Sequence, residues 1–588
     1  MQKHNAKNNK KIYVVTLIIM ILLMTIFANS FYWPYQEYSN RKLLVWLIVL
    51  LGIIIVPILS IRINIFSVCV KKILKKAIQT IEKARQNKKA IVVGICFIVV
   101  SLALSCVLTY FLSLVVLKSA FNIRLLYVVL TLLGIVFFVV TNWKKAAERP
   151  EKMFAIFALM LGLFCIGVTP DRVGVSWDDQ IHYGRTLEIS NFLNGIKFEA
   201  DINNIGYAPF YQGTGYDRES DYAYIENIEE MYETRGYQLS EFTDFGIWSL
   251  AYVPSAIGII LARGLGLSYL GMFNMGRLFN LLMYIGLIYF AIKRIKYGKV
   301  LIAAIGLNPT TIFMASTYSY DPWITGFTIL GLAYFFAELQ EDTPLRTKNI
   351  IIMLSAITIG CLPKAIYFPL LFPLLFMPKR KFQSKRQRRY YYLAIVGLGV
   401  FLVATFLLPI LLNGAGTGDA RGGADVNSTE QIKFILENPF EYAKILYNFG
   451  LDYIALERSA KMLQGFAYAG TGHFYSIVSM TITVLAFLDR GEQEQNMFLV
   501  KGATLFANAV AMVLASTALY ISFTAVGSDT IAGMQGRYLI PTIYPALYSI
   551  GLGGTTNKIN KNAFVCVPLL IIAITFIYNL TEFCVIHY

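Results

Sequence analysis

The sequence predicts an all-α protein that crosses a membrane many times. Of its 588 residues, 56% are hydrophobic and only 15% are charged, and the mean hydropathy is +0.57. A soluble chain of this length would need far more charged surface to stay in water. Apolar stretches of membrane-spanning length recur along the whole chain, so a polytopic membrane protein is the expected class.

The distribution of charge supports the same class. The formal net charge is +17, but the basic residues cluster in short connectors between apolar stretches. These connectors are Lys3 to Lys11, Lys71 to Lys89, Lys144 to Lys152, Lys293 to Lys299 and Lys379 to Arg389. This is the pattern of the positive-inside rule, and it argues against nucleic acid as a partner.

Residues 1–149 are predicted to form an N-terminal module of four spans, near 12–33, 43–63, 90–117 and 124–142. The basic N-terminus is expected to be cytoplasmic. Between the second and third spans, the stretch from Lys71 to Ile81 has lysines on one helical face and apolar residues on the other. It is therefore predicted to be an amphipathic helix lying on the cytoplasmic membrane surface.

Residues 150–588 are predicted to form a core of about 11 helices, beginning with a fifth span near 153–169. A large external loop follows at 170–245, with fifteen acidic and five basic residues. The apolar stretch 246–266 is interpreted as a juxtamembrane or re-entrant helix, because a full span there would place the basic run at Lys293 outside.

Further spans are predicted near 278–294, 300–317, 323–339 and 391–412, and then near 474–488, 497–524, 538–554 and 563–581. Residues 349–378 hold two short apolar runs, predicted to be a helical hairpin that turns at Pro363 and Lys364. A second external loop is expected at 413–472. In this topology the C-terminus is outside.

The first candidate site follows the fifth span. Asp178, Asp179, His182 and Arg185 fall within eight positions. If a helix starts after Asp178, then Asp178, His182 and Arg185 share one face, where a carboxylate has basic neighbours that tune its pKa. The alternative is structural: Ser176 or one of the two aspartates caps the helix that follows.

Three more candidates are expected at the outer face. Asp321 precedes Pro322, so it is either a second carboxylate of the site or a helix N-cap with proline at the first helical position. Lys364 either extends to lipid head groups or neutralises a phosphate. Arg537 and Tyr538 follow Gly536 and are either head-group anchors or part of a phosphate clamp.

Several chemistries lack their motifs. The sequence has no GxxxxGK[ST], GxSxG or HExxH pattern, and its four histidines are widely scattered. The seven cysteines have no CxxC spacing. No cofactor is therefore required by the sequence, and a divalent cation is left open.

Taken together, the motifs Trp177 to Arg185, Asn308 to Asp321, Leu362 to Lys364 and Gln535 to Pro541 resemble a known family. It is an uncharacterised bacterial multi-spanning membrane family, a domain of unknown function, grouped with the GT-C glycosyltransferases. The resemblance runs from about residue 150 to 581. One departure is the Asp-Asp-Gln at 178–180, where family members often show an Asp-Glu pair. The resemblance therefore does not decide which of the two aspartates is the active carboxylate.

The resemblance implies a GT-C-like core and a glycosyltransferase that uses a polyprenyl-phosphate-linked sugar. Asp178 or Asp179 corresponds to the first acidic position and Asp321 to the second, while Lys364 and Arg537 lie where donor phosphate contacts are expected. Tyrosines of the 205–240 segment, such as Tyr207 and Tyr211, either bind an acceptor glycan or pack the loop.

The functional expectation is therefore an inverting transferase at the extracytoplasmic face of a bacterial cytoplasmic membrane. It would move a sugar to a cell-surface glycan or a lipid-linked acceptor. His182, Arg185, Lys364, Arg537 and Tyr538 are the expected substrate or phosphate contacts. The alternatives are a transporter or flippase of lipid-linked polysaccharide precursors, a polymerase of the same precursors, and a non-catalytic membrane scaffold.

Overall fold

The computed structural model describes residues 88–117, 121–194, 246–414, 418–454, 461–491, 497–551 and 557–586, together with Phe210, Ala223 and Glu226. The predicted spans 12–33 and 43–63, the predicted amphipathic helix at Lys71 to Ile81 and nearly all of the tyrosine-rich loop lie outside the described residues. Within them, the regular structure is entirely helical, apart from an isolated bridge between Gly465 and Thr471.

The α-helices of the described residues are numbered here in chain order. They are α1 Lys88–Leu112, α2 Ile123–Asn142, α3 Pro150–Val168, α4 Asp179–Asn194, α5 Val253–Gly264, α6 Tyr269–Arg294, α7 Lys299–Gly306, α8 Pro309–Ala315, α9 Asp321–Leu339, α10 Thr347–Cys361, α11 Lys385–Asn413, α12 Ser428–Glu437, α13 Pro439–Ile454, α14 Tyr475–Leu488, α15 Phe498–Phe523, α16 Ile540–Ile550 and α17 Lys561–Thr581.

Eight helical segments among the described residues are long and apolar enough to cross a membrane. They are Ile123–Lys145, Pro150–Val168, Ile247–Gly264, Tyr269–Arg294, Asp321–Leu339, Lys385–Leu412, Phe498–Phe523 and Lys561–Ile586. The predicted class, a multi-pass helical membrane protein, is confirmed. The inside and outside assignments stay predictions.

The centre of the bundle differs from the prediction of one span at 300–317. Two short helices, α7 and α8, stand there, because Pro309 cannot continue the backbone ladder and disfavours a helical Asn308. The Asn308 side chain instead caps α8 by accepting from the Thr311 N–H at 3.3 Å. Both helices are buried, and α3, α6 and α17 pack against them.

Two other predicted spans are shorter than expected. The span at 538–554 is a 3₁₀ turn, Gly536–Leu539, followed by α16, whose 11 residues extend about 16 Å. The span at 474–488 is α14, with 14 residues. A hydrocarbon core is about 30 Å thick, so neither helix crosses it at full length on its own.

The broken hairpin at 349–378 is as predicted. α10 ends at Cys361, and a 3₁₀ segment, Ala365–Phe376, returns beside it, with Pro369 and Pro373 accounting for its irregular backbone. Lys364 lies at the turn.

The stretch 246–266 contains a 3₁₀ turn, Ile247–Tyr252, followed by α5. α5 packs along the first half of α6, so closely that a side chain at Gly258 would meet the Met275 carbonyl oxygen at 2.3 Å. The 18-residue segment Ile247–Gly264 also has the length and hydropathy of a span. Its interpretation as a juxtamembrane or re-entrant helix therefore stays a prediction.

Candidate functional site

Five charged side chains from distant parts of the chain meet at one end of α9. We call Asp178, Asp321, Lys364, Arg421 and Arg537 the site cluster; all but Arg421 are sequence-predicted. Arg537 is at its centre, with its side chain only 1% exposed. Its guanidinium donates to Asp178 Oδ2 at 2.6 Å and to Asp321 Oδ2 at 3.0 Å. A single buried cation therefore joins the two predicted carboxylates.

Asp178 lies just before α4, with a positive φ of 56°. Few residues other than glycine adopt this left-handed region, although aspartate tolerates it. The conformation directs the carboxylate toward Arg537 and Arg421 and leaves 27% of the side chain exposed. Burial raises the pKa of this carboxyl, but the adjacent guanidinium groups outweigh it and hold the pKa below its usual value.

Asp179, the neighbouring candidate, has a different role. Its buried carboxylate accepts backbone N–H groups from Gly174, Val175 and Ser176 at 2.8 to 3.0 Å. Burial raises its pKa to about 6, against the effect of these hydrogen bonds. The geometry therefore separates the pair: Asp179 ties down the loop before α4, and Asp178 faces the cluster. Asp178 stands immediately before α4, the position that the N-cap alternative gave to an aspartate, and its carbonyl oxygen accepts from the His182 N–H at 3.0 Å.

Asp321 is the first residue of α9, and its carboxylate accepts from the Ser319 hydroxyl at 3.1 Å as well as from Arg537. The N-cap position belongs to Tyr320, so the predicted N-cap role of Asp321 is wrong. The loop before α9 is held from behind by α6. Arg277 donates to the Ser316 carbonyl at 2.8 Å, and Asn280 donates to the Thr317 carbonyl at 2.9 Å.

Lys364 reaches the cluster from the tip of the hairpin. Its ammonium lies 3.6 Å from the centre of the Tyr538 ring and 5.2 Å from that of Tyr320. Burial lowers the pKa of Lys364 to about 7, although the nearby Asp321 carboxylate opposes this. Cation–π contacts orient the ammonium without neutralising it. Tyr538 is fixed in turn, because its carbonyl accepts from the Tyr367 hydroxyl at 2.7 Å.

His182 borders the cluster, and Arg185 does not join it. The His182 ring is buried against Tyr252 and Tyr320, with Nδ1 2.9 Å from the Tyr252 hydroxyl. Burial, with the charge of Arg537, lowers the pKa of His182 to about 3, so it is neutral at pH 7. Arg185 instead bonds Glu188 at 3.1 Å. The helix begins directly after Asp178, as predicted, but Asp178 has a positive φ and so does not share a helical face with His182 and Arg185.

Arg421 is the residue that the sequence analysis missed. It comes from the second predicted external loop, bonds both carboxylate oxygens of Asp419, and donates to Asp178 Oδ1 at 2.8 Å. A side chain at the following Gly422 would stand 2.4 Å from the Phe523 carbonyl oxygen, so only glycine lets this loop pack against the end of α15. A glycine adjoins Arg421 as one adjoins Arg537, but it follows the arginine instead of preceding it.

Trp177 links the cluster to an adjacent cavity. Its carbonyl accepts from Arg537 at 3.3 Å, and the Arg537 guanidinium lies 5.3 Å from the centre of its ring. The cavity has a volume of about 330 Å³ and an open mouth. It is lined by Trp177, Phe449, Lys461, Met462, Gly465, Thr471, Ile531, Gly533, Met534 and Gly536.

Two buried nitrogen atoms of the site have no hydrogen-bond partner among the described residues, Nε of Arg537 and Nε2 of His182. Buried polar atoms of this kind are rare, and they are frequent at sites that receive a ligand or water. The described residues hold no group of three His, Cys, Asp or Glu side chains suited to a metal ion. Between Asp178 and Asp321, the position that a cation would take is filled by Arg537.

Comparison with known proteins identifies the family. A family model described as "Predicted membrane protein (DUF2142)" matches residues 159–545, about two thirds of the chain. The chain belongs to this family. The match includes every member of the site cluster. No curated protein and no solved structure matches the chain.

Proposed function

We propose that this DUF2142 protein is a GT-C-type glycosyltransferase. It would move a sugar from a polyprenyl-phosphate-linked donor to a cell-surface glycan or a lipid-linked acceptor, at the extracytoplasmic face. The observation that carries the proposal is the buried Arg537 bonded to both Asp178 and Asp321, with the Lys364 ammonium beside it.

Asp178 is proposed as the general base. It is the more exposed of the two carboxylates bonded to Arg537, and it borders the cavity through Trp177. A base must stand within hydrogen-bond reach of the hydroxyl it deprotonates, and only an ionised carboxylate can accept that proton. Arg421 donates to Asp178 Oδ1, so an acceptor hydroxyl would replace one guanidinium bond.

The cations are proposed to bind the departing phosphate. The acceptor oxygen forms a bond to the anomeric carbon while the bond from that carbon to the phosphate oxygen breaks; the hydroxyl proton passes to Asp178. Negative charge develops on the lipid phosphate, where Lys364 and Arg537 would stabilise it. One carboxylate suffices for such an inverting displacement.

Asp321 is proposed to position Arg537, because it is almost fully buried and already bonded to Ser319. His182 would present its unpartnered Nε2 as a neutral hydrogen-bonding group. The cavity beside Trp177 is the proposed acceptor space, since aromatic faces stack on the apolar faces of sugar rings and the backbone at Gly465 and Gly533 leaves room there. A divalent cation enters no step.

The test compares cell-envelope glycans from a deletion strain complemented with the wild-type chain, with Asp178→Asn or with Asp529→Asn. Asp529 is an exposed carboxylate on the loop that leads to Arg537, so it is a matched control. We expect Asp178→Asn to resemble the deletion, since losing a general base costs about 10²- to 10⁴-fold in rate. Asp529→Asn should resemble the wild type.

Immunoblots of the membranes would confirm equal protein levels in these strains. Identical glycans in all strains, or wild-type glycans from Asp178→Asn, would remove the enzyme proposal and favour a scaffold.

A further inference from the structure

A second cavity lies between α10 and α11, at the end of α10 remote from the site cluster. Its volume is about 580 Å³, within the range of pockets that hold small molecules. One wall is apolar, formed by Ile350, Ile351, Leu354, Ala394 and Leu398, and its rim is polar, formed by Gln383, Ser384, Arg386 and Gln387. We call this cavity the α10–α11 groove.

The groove opens to the exposed surface of the bundle. Ile351 and Tyr390, on its two sides, are 59% and 57% exposed. α11 is the least covered of the candidate spans, with 11% of its most apolar window buried. An apolar side chain exposed along a membrane-spanning helix contacts acyl chains, so the wall of the groove is suited to hold one.

The charge at the rim is strongly positive. The run Lys379 to Arg389 contains seven basic residues and no acidic one, and none of the described residues that line the groove is acidic. Lys381 is already used, because it donates to the Glu341 and Thr343 carbonyls. Arg386 lies over the Tyr390 ring at 5.5 Å and has no carboxylate partner among the described residues.

We propose that the α10–α11 groove is a binding site for one anionic phosphoglyceride. Arg386 would bind the head-group phosphate, Ser384 would donate a hydroxyl hydrogen bond to it, and an acyl chain would lie along Ile350, Leu354 and Leu398. Basic pockets between spanning helices recognise anionic head groups in this way. The complementarity of a cationic rim and an apolar wall excludes a soluble anion as the preferred occupant.

This site is distinct from the proposed catalytic one. α10 has 15 residues, so its two ends are about 22 Å apart. The groove begins at Thr347, whereas Lys364 lies just beyond the other end. Lipid occupancy would therefore brace the base of the hairpin whose tip carries Lys364, whether or not sugar transfer is the function.

Native mass spectrometry of the purified full chain in detergent tests the proposal. Phosphatidylglycerol and phosphatidylcholine with the same acyl chains would be titrated against wild type, Arg386→Gln and Arg389→Gln. Arg389 belongs to the same basic run and is exposed, but it does not line the groove. We expect Arg386→Gln to weaken phosphatidylglycerol binding about fivefold, the effect of one basic residue at an anionic surface, and Arg389→Gln to leave it nearly unchanged.

A filling variant, Leu354→Trp, should reduce the binding of both lipids without changing charge. Equal affinity for the two lipids in wild type, or equal loss from Arg386→Gln and Arg389→Gln, would overturn the proposal in favour of general surface charge. Polyprenyl phosphate that displaces phosphatidylglycerol at equal concentration would also overturn it, by making the carrier lipid the occupant.

Discussion

The two ends of α9 carry charged clusters that differ in how their charges are used. At the first end Asp321 belongs to the site cluster. At the other end, about 25 Å along the helix, Glu338 belongs to a second cluster with Arg294, Glu341 and Lys381, which we call the opposite-end cluster. Both combine buried carboxylates with basic residues.

In the opposite-end cluster the charged groups are paired with one another or with backbone carbonyls. Glu338 is 1% exposed and bonds both Arg294 and the Asn349 amide, with Lys381 at 3.9 Å. Arg294 also bonds Glu341 at 2.6 Å, and Lys381 donates to two backbone carbonyls. These contacts tie α6, α9 and α10 together. Every charge there has the partner that its burial demands.

The site cluster has charged and polar groups that can still bind a ligand. Asp178 is held in a left-handed backbone conformation, the Lys364 ammonium faces aromatic rings, and Arg537 Nε has no partner among the described residues. A cavity opens beside it. The comparison teaches that a buried ionic cluster does not by itself mark a site; strain, unpaired groups and access to a cavity do.

The sharpest test of this difference is Glu338→Gln. Removing the charge of this buried carboxylate leaves Arg294 with the partly exposed Glu341 as its remaining acidic partner, and we expect a loss of about 3 kcal/mol in the free energy of unfolding. Thermal unfolding in detergent would measure it. Glu341→Gln is the matched control, because Glu341 shares Arg294 but is 37% exposed and should cost less than about 1 kcal/mol. Equal losses would break the distinction between the two carboxylates.

The second test uses the pKa of Lys364. Its ammonium is the form that binds phosphate, and it loses its proton as the pH rises through about 7. The affinity of the purified chain for polyprenyl phosphate should therefore fall about tenfold between pH 6 and pH 8.5, the value of one charge-assisted hydrogen bond. Lys364→Arg stays charged, so its affinity should not fall over this range and should instead follow only the second ionisation of the phosphate, whose pKa is about 6. A flat wild-type profile would show that Lys364 does not contact the phosphate.

The smallest expected effect is on stability at Asp178. Glycine adopts a positive φ without strain, so the free energy of unfolding of Asp178→Gly should exceed that of Asp178→Ala by about 0.5–1 kcal/mol, while both variants abolish complementation. Asp178→Ala removes the same carboxylate but keeps the strain. A destabilised glycine variant would mean that the Asp178 bonds to Arg537 and Arg421 serve folding, as in the opposite-end cluster.

Hydropathy and basic connectors were enough to predict the class and most helices. The hairpin that turns at Lys364 was also predicted, because two apolar runs flanked by basic residues leave few other arrangements. The break between α7 and α8 was not predicted, although Asn308 and Pro309 are typical of the start of a new helix. Hydropathy averages over a window and does not register one proline, and a fully buried segment needs no complete span.

Part of the site was also readable from the sequence. Asp178, Asp321, Lys364 and Arg537 stood out because charged groups between apolar runs are costly. Arg185 was selected because helical spacing from Asp178 would place it on the same face, but Asp178 has a positive φ and Arg185 bonds Glu188. Its role as a phosphate contact stays a prediction. Arg421 was overlooked, because an arginine in a glycine-rich loop carries no periodic signal and its partner is more than two hundred residues away.

The sequence by itself determined that this chain is a helical membrane protein and which of its polar residues are expensive to place. Only the tertiary structure decided how those residues are used. Asp179 bonds the backbone of its own loop, Asp178 and Asp321 both bond Arg537, and Glu338 bonds Arg294 at the far end of α9. The physical reason is that the free-energy cost of burying a charged side chain depends on its residue type and can be read from the sequence. The hydrogen bonds and ion pairs that offset this cost come from partners that only the folded chain brings within reach.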